Sequence, residues 1–242
     1  EIPNNNFDKP KNNNFMPKSS SEIVYKGNNA PQNGQLNNES QNSIISSNEV
    51  HVITDKNNIN YELYDKDFTA NIIASPKASG EIFIPANVDY YFKKYKITGI
   101  KSQAFAGSSI RNISFAEESF INFIGSNAFD NSSLREFFFP KSLKDVDVKV
   151  FSNANELQEI HLNPNNKHFS IVNGILLHIK KGTFKSLFTL KSFNGEFTLP
   201  EGTEFIENDS LSEIRGLRYL KSETQSLESI KAPFTNNKTL ET

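Results

Sequence analysis

From residue 80 onward, polar and apolar residues alternate in short stretches that end at a proline or at another break in the pattern. Side chains alternate faces along an extended chain, so the second and fourth residues of each stretch are expected to point into a core. Proline, which ends three of the stretches, stops a ladder because it has no backbone N–H to donate. The pattern therefore predicts six strands: EIFIP (81–85), NISFA (112–116), EFFFP (136–140), EIHLN (159–163), EFTLP (196–200) and the weaker YLKS (219–222).

A second element alternates with these strands and places a β-branched residue five positions before a large apolar residue. Its four occurrences are IKSQAF (100–105), IGSNAF (124–129), VDVKVF (146–151) and IENDSL (206–211). Phe105, Phe129 and Phe151 follow one another at 24 and 22 residues (129 − 105 and 151 − 129). This spacing lies within the roughly 20–29 residues typical of leucine-rich repeats.

Repeats of this size cannot bury their apolar side alone, but stacked repeats share one continuous core. We therefore expect the strands to lie in parallel register, with segments 81–85 and 136–140 in the same sheet. Compact turns or short helices carry the second element. Phe105, Phe129 and Phe151 are predicted to form a stack of rings inside the array.

Two longer passages resemble the BspA-like leucine-rich repeat surface antigens of bacteria and parasitic protists. Residues 59–105 resemble the opening module of that family, and NPNNKHFSIVNGILL (163–177) resembles its longer repeat, in which Asn173-Gly174 supplies a hairpin turn. The resemblance covers about residues 59–230. The family pattern weakens in VDVKVF, in IENDSL and in LESIKAPF (227–234), which indicates a C-terminal cap or a truncated array.

The resemblance implies an α/β repeat solenoid, a right-handed coil with a parallel β-sheet on the concave face and short helices or turns on the other side. Residues 1–50 contain thirteen asparagines and few apolar residues, so they are predicted to be a low-complexity leader or stalk. The predicted organisation is a leader (1–50), a repeat domain (51–234) and a tail (235–242). Within the domain we expect capping strands (51–80), repeats (81–211) with a hairpin-containing repeat (163–195), and a degenerate last repeat or cap (212–234).

Composition excludes several classes of function. The 26 basic and 28 acidic residues are interspersed and give a net charge of −2, unlike the basic surface of a nucleic-acid binder, so nucleic acid is not an expected partner. The chain has no cysteine and no apolar run of the roughly 18–20 residues that span a bilayer. Because the chain begins at Glu1 without a signal sequence, we expect a processed or excised fragment.

No pattern of catalytic or metal-ligating residues is found in the sequence. The nucleophile elbow, the phosphate-binding loops and the HExxH zinc motif are all missing. His161 and His168, the closest pair of histidines, do not match any recognised ligand spacing. We therefore expect no enzymatic activity, no metal and no cofactor.

Two columns of residues are predicted on the solvent face of the strands. The first residues of the strands form one column: Glu81, Asn112, Glu136, Glu159, Glu196 and Tyr219. The third residues form the other: Phe83, Ser114, Phe138, His161, Thr198 and Lys221. Stacked carboxylates repel one another unless cations or a basic partner lie across them.

Two interpretations of these columns remain open. In one, the face is a solvated surface whose acidic charge is balanced by Arg111, Arg135 and Arg218. In the other, it binds a protein partner through Glu81, Phe83, Glu136, Phe138, Glu159, His161, Glu196 and Tyr219, because exposed aromatic residues are good hot-spot candidates.

The family resemblance implies a cell-surface or secreted protein that adheres to host or matrix proteins or to other microbial surface proteins. The alternative is a repeat scaffold that binds a partner protein of the same organism without an adhesive role. A signal peptide or anchor in the complete gene would favour the first function, and their absence the second. Self-association through the C-terminal end of the array is compatible with either.

Overall fold

The computed structural model describes residues 50–147, 149–191, 193–207, 210–211, 214–222 and 229–230. These residues form eighteen strands and no helix. The strands are β1 (Val50–Thr54), β2 (Asn60–Tyr64), β3 (Thr69–Ile73), β4 (Ser79–Ile84), β5 (Asn87–Tyr90), β6 (Lys93–Ile100), β7 (Ser109–Phe115), β8 (Phe123–Ile124), β9 (Glu136–Phe139), β10 (Asp145–Val146), β11 (Glu159–Leu162), β12 (Phe169–Val172), β13 (Ile175–Lys180), β14 (Thr183–Thr189), β15 (Glu196–Thr198), β16 (Phe205–Ile206), β17 (Tyr219–Lys221) and β18 (Ser229–Ile230). The predicted leader and tail, and most of the predicted last repeat, lie outside the described residues.

Four strands form a parallel sheet, here called the front sheet, in the order β11-β9-β7-β4. It contains both of the segments that the sequence placed together, 81–84 in β4 and 136–139 in β9. The inward residues of β9, Phe137 and Phe139, are buried, whereas Phe138 between them is exposed. The predicted strands and their parallel order are therefore confirmed for these four repeats.

The back sheet lies on the other side of each repeat, in the order β1-β2-β3-β6-β8-β10, with β5 paired to β6. Its strands β3, β6, β8 and β10 are parallel and advance with the repeats. Strands β1 and β2 add to it in antiparallel fashion and close the N-terminal end. Each complete repeat therefore contributes one strand to the front sheet and one to the back sheet.

Hydrogen-bonded turns, and not helices, carry the apolar residues of the second element within the described residues. The Phe105 N–H donates to the Ala128 carbonyl over 2.8 Å, and the Phe129 N–H donates to the Val150 carbonyl over 3.1 Å, so consecutive turns are linked. Positive φ angles at Gln103 (60°) and Asn127 (54°) prevent a helix from forming there.

The phenylalanine stack is confirmed. The rings of Phe105 and Phe129 lie 5.6 Å apart at 7°, and those of Phe129 and Phe151 lie 5.7 Å apart at 22°. Phe137 of the front sheet contacts Phe129 edge-on, with ring centroids 5.3 Å apart. The stack therefore joins the turns of successive repeats to the inner face of the front sheet.

An inserted hairpin interrupts the array after β11. Strands β12, β13 and β14 are antiparallel, and the turn between β12 and β13 has positive φ at Asn173 (48°) and Gly174 (79°), as Asn-Gly predicts. Parallel pairing resumes with β14, β16 and β18 in one sheet and with β15 and β17 in another.

Strand β13 separates two hydrophobic cores. Its residue Leu176 packs in the core that contains the phenylalanine stack, whereas its neighbours Ile175 and Leu177 pack in a second core. All three side chains are buried. The second core is completed by Phe184, Phe197, Leu199, Ile206, Leu211, Ile214 and Leu217. The hairpin thus lies between the two cores and contributes apolar side chains to both.

Buried polar groups line the hairpin beside β10. The Lys185 ammonium is buried and lies 3.7 Å from an Asp145 carboxylate oxygen and 3.5 Å from a Glu207 carboxylate oxygen. His178 is buried, stacks on Phe169 with ring centroids 4.9 Å apart, and has no hydrogen-bond partner at Nδ1. Burial lowers the pKa of His178 below its ordinary value, Lys185 lowers this pKa further, and Asp145 opposes the shift.

We expect this histidine to make the protein less stable in acid. Because the folded-state pKa of His178 lies below its unfolded value, neutral His178 contributes stability above about pH 6.5, and this contribution is lost as the pH falls. We expect His178→Phe, which keeps the ring on Phe169, to flatten the fall in the free energy of unfolding between pH 7 and pH 5. Urea titrations at several pH values measure the free energy of unfolding. Parallel curves of the free energy of unfolding against pH for the two proteins would contradict this role of His178. The charged neighbours Lys180, Lys185 and Asp145 are the same in both proteins.

Candidate protein-binding face

The outward face of the front sheet carries the predicted column of acidic residues over four strands. Glu81 pairs in register with Asn112, Asn112 with Glu136, and Glu136 with Glu159. Glu81 and Glu159 are exposed and Glu136 is half-buried. Because neighbouring strands lie about 4.8 Å apart, three carboxylates share a narrow strip of surface.

The second column supplies aromatic surface beside the acidic one. Phe83 pairs in register with Ser114, and Phe138 pairs with His161. Phe83 is 46% exposed and Phe138 is 38% exposed, whereas the apolar residues on either side of each are buried. The predicted outward direction of Phe138 is therefore confirmed.

Phe138 of β9 and His161 of the edge strand β11 form a stacked pair on this face. Their rings lie 4.4 Å apart at an angle of 17°, and His161 Nε2 lies 3.3 Å from a carboxylate oxygen of Glu159. Beside the pair is a cleft of about 310 Å³, formed where β7, β9 and β11 end. Its rim includes Ser114 and Asn163. The cleft can receive an apolar side chain, and the adjacent carboxylate can receive a basic one.

Two of the three arginines that were candidates to balance the acidic column, Arg135 and Arg218, bind elsewhere. Arg135 donates from Nε and Nη2 to one oxygen of Glu156, each over 3.0 Å. Arg218 donates from Nη2 to the Asn194 carbonyl over 2.8 Å. The structure therefore gives no support to a column neutralised by Arg135 and Arg218.

The predicted column is wrong at its last two members. Glu196 and Tyr219 pair with each other in the separate sheet of β15 and β17, which is not hydrogen-bonded to the front sheet. The inserted hairpin occupies residues 169–189, so the front sheet ends at β11 and the column ends at Glu159. Glu196 and Tyr219 are both exposed and form a second small patch.

Sequence reasoning missed the groups that form the rim of the cleft. Ser114 was only a member of a column, Asn163 was interpreted as the stop of its strand, and Lys141 directly follows the stop at Pro140. The available signal was the repeat itself, because residues after parallel strands in register meet along one edge of the sheet.

Over the described part of the chain, no group of three or more His, Asp or Glu side chains is placed to hold a metal. No helix in that part is long and apolar enough to cross a membrane.

The repeats match a known family. Six copies of the BspA type leucine rich repeat model match residues 81–195, from the first front-sheet strand to the residue before β15. Residues 81–195 are therefore a BspA-type leucine-rich repeat region. The family resemblance found in the sequence is confirmed, and stacked repeats of this kind are scaffolds that present extended surfaces to other proteins.

Several solved leucine-rich repeat structures are similar to this array at low identity. The pneumococcal vaccine antigen PcpA is 17% identical, with 79% of this chain and 69% of that chain covered and a TM-score of 0.44. A leucine-rich repeat protein of T. pallidum is 16% identical, with 71% and 83% covered and a TM-score of 0.45. One from Eubacterium ventriosum is 16% identical, with 67% and 59% covered and a TM-score of 0.36. No curated protein matches the chain.

Proposed function

We propose that this leucine-rich repeat array is a non-enzymatic protein-binding module, secreted or at a cell surface, that adheres to host or matrix proteins through the outward face of the front sheet. The observation that carries the proposal is the Phe138–His161 stack, exposed beside the carboxylates of Glu136 and Glu159. An aromatic residue on the outward face of a sheet contributes little to folding when it faces water, but it is a strong anchor for a partner. The BspA-type repeats support a surface location, because the resemblance implies surface antigens.

The proposed contact surface consists of Glu81, Phe83, Glu136, Phe138, Glu159 and His161. Glu196 and Tyr219 are proposed as a second contact patch, reached separately because they lie in another sheet. The fitting partner presents an apolar side chain to the cleft and a lysine or arginine to the acidic strip. The proposed organisation of the chain is a leader or stalk (1–50), the repeat domain (51–234) and a tail (235–242).

Substitution of Phe138 and Glu159 tests the binding face. We expect Phe138→Ser combined with Glu159→Gln to weaken binding to a matrix or host-surface protein about 30-fold or more, because hot-spot residues contribute about 2 kcal/mol or more. The thermal midpoint should change little, since both side chains are exposed. A surface-immobilised binding assay against extracellular matrix proteins and host-cell membranes measures the affinity.

The chain offers a matched control. Phe120 is also 38% exposed, and the exposed residue Glu118 lies two positions before it. Phe120→Ser combined with Glu118→Gln therefore makes the same chemical changes away from the stack. Equal binding by the intact protein and the Phe138 variant would remove the site from this face. Binding only to a protein of the source organism would contradict the adhesive role and support the scaffold function.

A further inference from the structure

Three exposed aromatic residues in the N-terminal part of the array have left-handed backbone conformations. Phe68, Tyr91 and Phe92 have φ angles of 53°, 43° and 62° and exposed fractions of 47%, 62% and 108%. Every other residue with positive φ in the described part of the chain is Asn, Gln or Gly. Bulky side chains rarely adopt this conformation, because Cβ approaches the backbone too closely.

The turn at Tyr91 and Phe92 contains residue types that its backbone geometry disfavours. Tyr90 pairs with Lys93, so Tyr91 and Phe92 are the two central residues of a hairpin turn with positive φ at both positions. Such turns favour Asn-Gly. The Phe92 side chain gains no burial in return, since it is fully exposed. Strained residues of this kind are concentrated at functional sites.

The turn that contains Phe68 lies beside this hairpin. The Lys93 ammonium is 2.7 Å from an Asp65 carboxylate oxygen and 5.8 Å from the centre of the Phe68 ring. The rings of Phe68 and Tyr95 are 5.9 Å apart. The three residues Phe68, Tyr91 and Phe92, here called the aromatic tip, therefore project from two adjacent turns at one end of the back sheet.

Lysines adjoin the aromatic tip. Residues 89–96 contain three lysines, Lys93, Lys94 and Lys96, and one aspartate, Asp89, which pairs in register with Lys94. Lys94 and Lys96 are exposed and lie two positions apart on β6, so they share one face. Protein hot spots are usually central and surrounded by a protective rim, whereas these aromatic residues stand at projecting turns flanked by positive charge. Aromatic rings at the headgroup level and lysines facing anionic lipid are the pattern of interfacial membrane contacts.

We propose that the aromatic tip inserts into the headgroup region of a lipid bilayer that contains anionic lipid. The rings of Tyr91 and Phe92 enter the interface first, and Phe68 follows from the adjacent turn. Lys94 and Lys96 face the lipid phosphates and carboxylates. This contact is separate from the front sheet, so the array could hold a membrane at one end while its binding face remains free.

Sedimentation with lipid vesicles tests the proposal on the full chain. We expect binding to vesicles of phosphatidylcholine with phosphatidylserine, and at least tenfold weaker binding after Tyr91→Asn combined with Phe92→Gly. The same double substitution gives the turn its favoured residues, so the thermal midpoint should rise by about 2–4 °C. A loss of binding with a gain in stability separates a role in lipid contact from a role in folding.

Two further variants complete the test. Ile179→Ser removes a side chain that is 52% exposed on the inserted hairpin, and vesicle binding should be unchanged. Lys94→Glu combined with Lys96→Glu should weaken binding to the anionic vesicles at least tenfold. Equal binding by vesicles of phosphatidylcholine alone would overturn the anionic preference. Failure of the intact chain to bind either vesicle would overturn the proposal, and loss of binding to a protein ligand in the Tyr91-Phe92 variant would then assign the tip to a protein contact.

Discussion

Replacing Phe129 with Ala should lower the free energy of unfolding by about 3–5 kcal/mol, the largest single effect expected in this protein. The Phe129 side chain is fully buried, lies between the rings of Phe105 and Phe151, and contacts Phe137 at its edge. Its loss leaves a cavity that the parallel strands on both sides cannot fill without breaking their register. Domains of this type are stable by only about 5–15 kcal/mol, so much of the stability would be lost. Equilibrium unfolding in urea measures the change.

Phe138→Ser is the matched control for this prediction, because Phe138 is the residue next to Phe137 on the opposite side of the same strand. Its change in free energy should stay within about 0.5 kcal/mol. Similar losses for Phe129→Ala and Phe138→Ser would mean that the outward face of the front sheet contributes as much to folding as the internal phenylalanine stack. That result would contradict both the internal stack and the proposed binding face.

Replacing Ile175 with Ala should lower the free energy of unfolding by about 2–5 kcal/mol and loosen the C-terminal half of the array selectively. Ile175 is fully buried and packs in the second core with Phe197 and Leu217. Stacked repeats depend mainly on their neighbours, so the loss should be local. Amide hydrogen exchange should show faster exchange in β15 and β17, while β7 and β9 keep their protection.

The neighbouring residue gives a reciprocal control. Leu176 is buried to the same extent but packs in the first core. Leu176→Ala should therefore speed exchange in the front sheet and spare β15 and β17. Faster exchange of the same strands in both variants would mean that the hairpin does not separate two independent cores and that the whole array unfolds as one unit.

The strands and the phenylalanine stack could be predicted because their signals repeat. Ile82, Ile113, Phe137 and Ile160 occupy the same inward slot of successive strands, and each is buried. A shift of one residue in the register would move this whole set into water, so the alternating pattern fixes both the register and the exposure of Phe138. Each repeat confirms the assignment of the next.

The remaining features depend on contacts that are not periodic. The alignment carried the acidic column on to Glu196, because it could not show that strands β12–β14 interrupt the sheet after Glu159. Arg135 was expected near the column, but its long side chain extends to the following turn and donates to Glu156 there. The left-handed aromatic residues gave no sequence signal, because turns of this geometry normally contain Asn or Gly.

The length of the front sheet limits what it can recognise. Four strands give three intervals of about 4.8 Å, so the face is only about 14 Å wide across its strands. An extended peptide that crosses them advances about 3.3 Å per residue and would have about four consecutive residues in contact. For the proposed binding face, this footprint suits a short linear motif with one apolar and one basic position, so unrelated proteins that contain such a motif would compete for the same four strands.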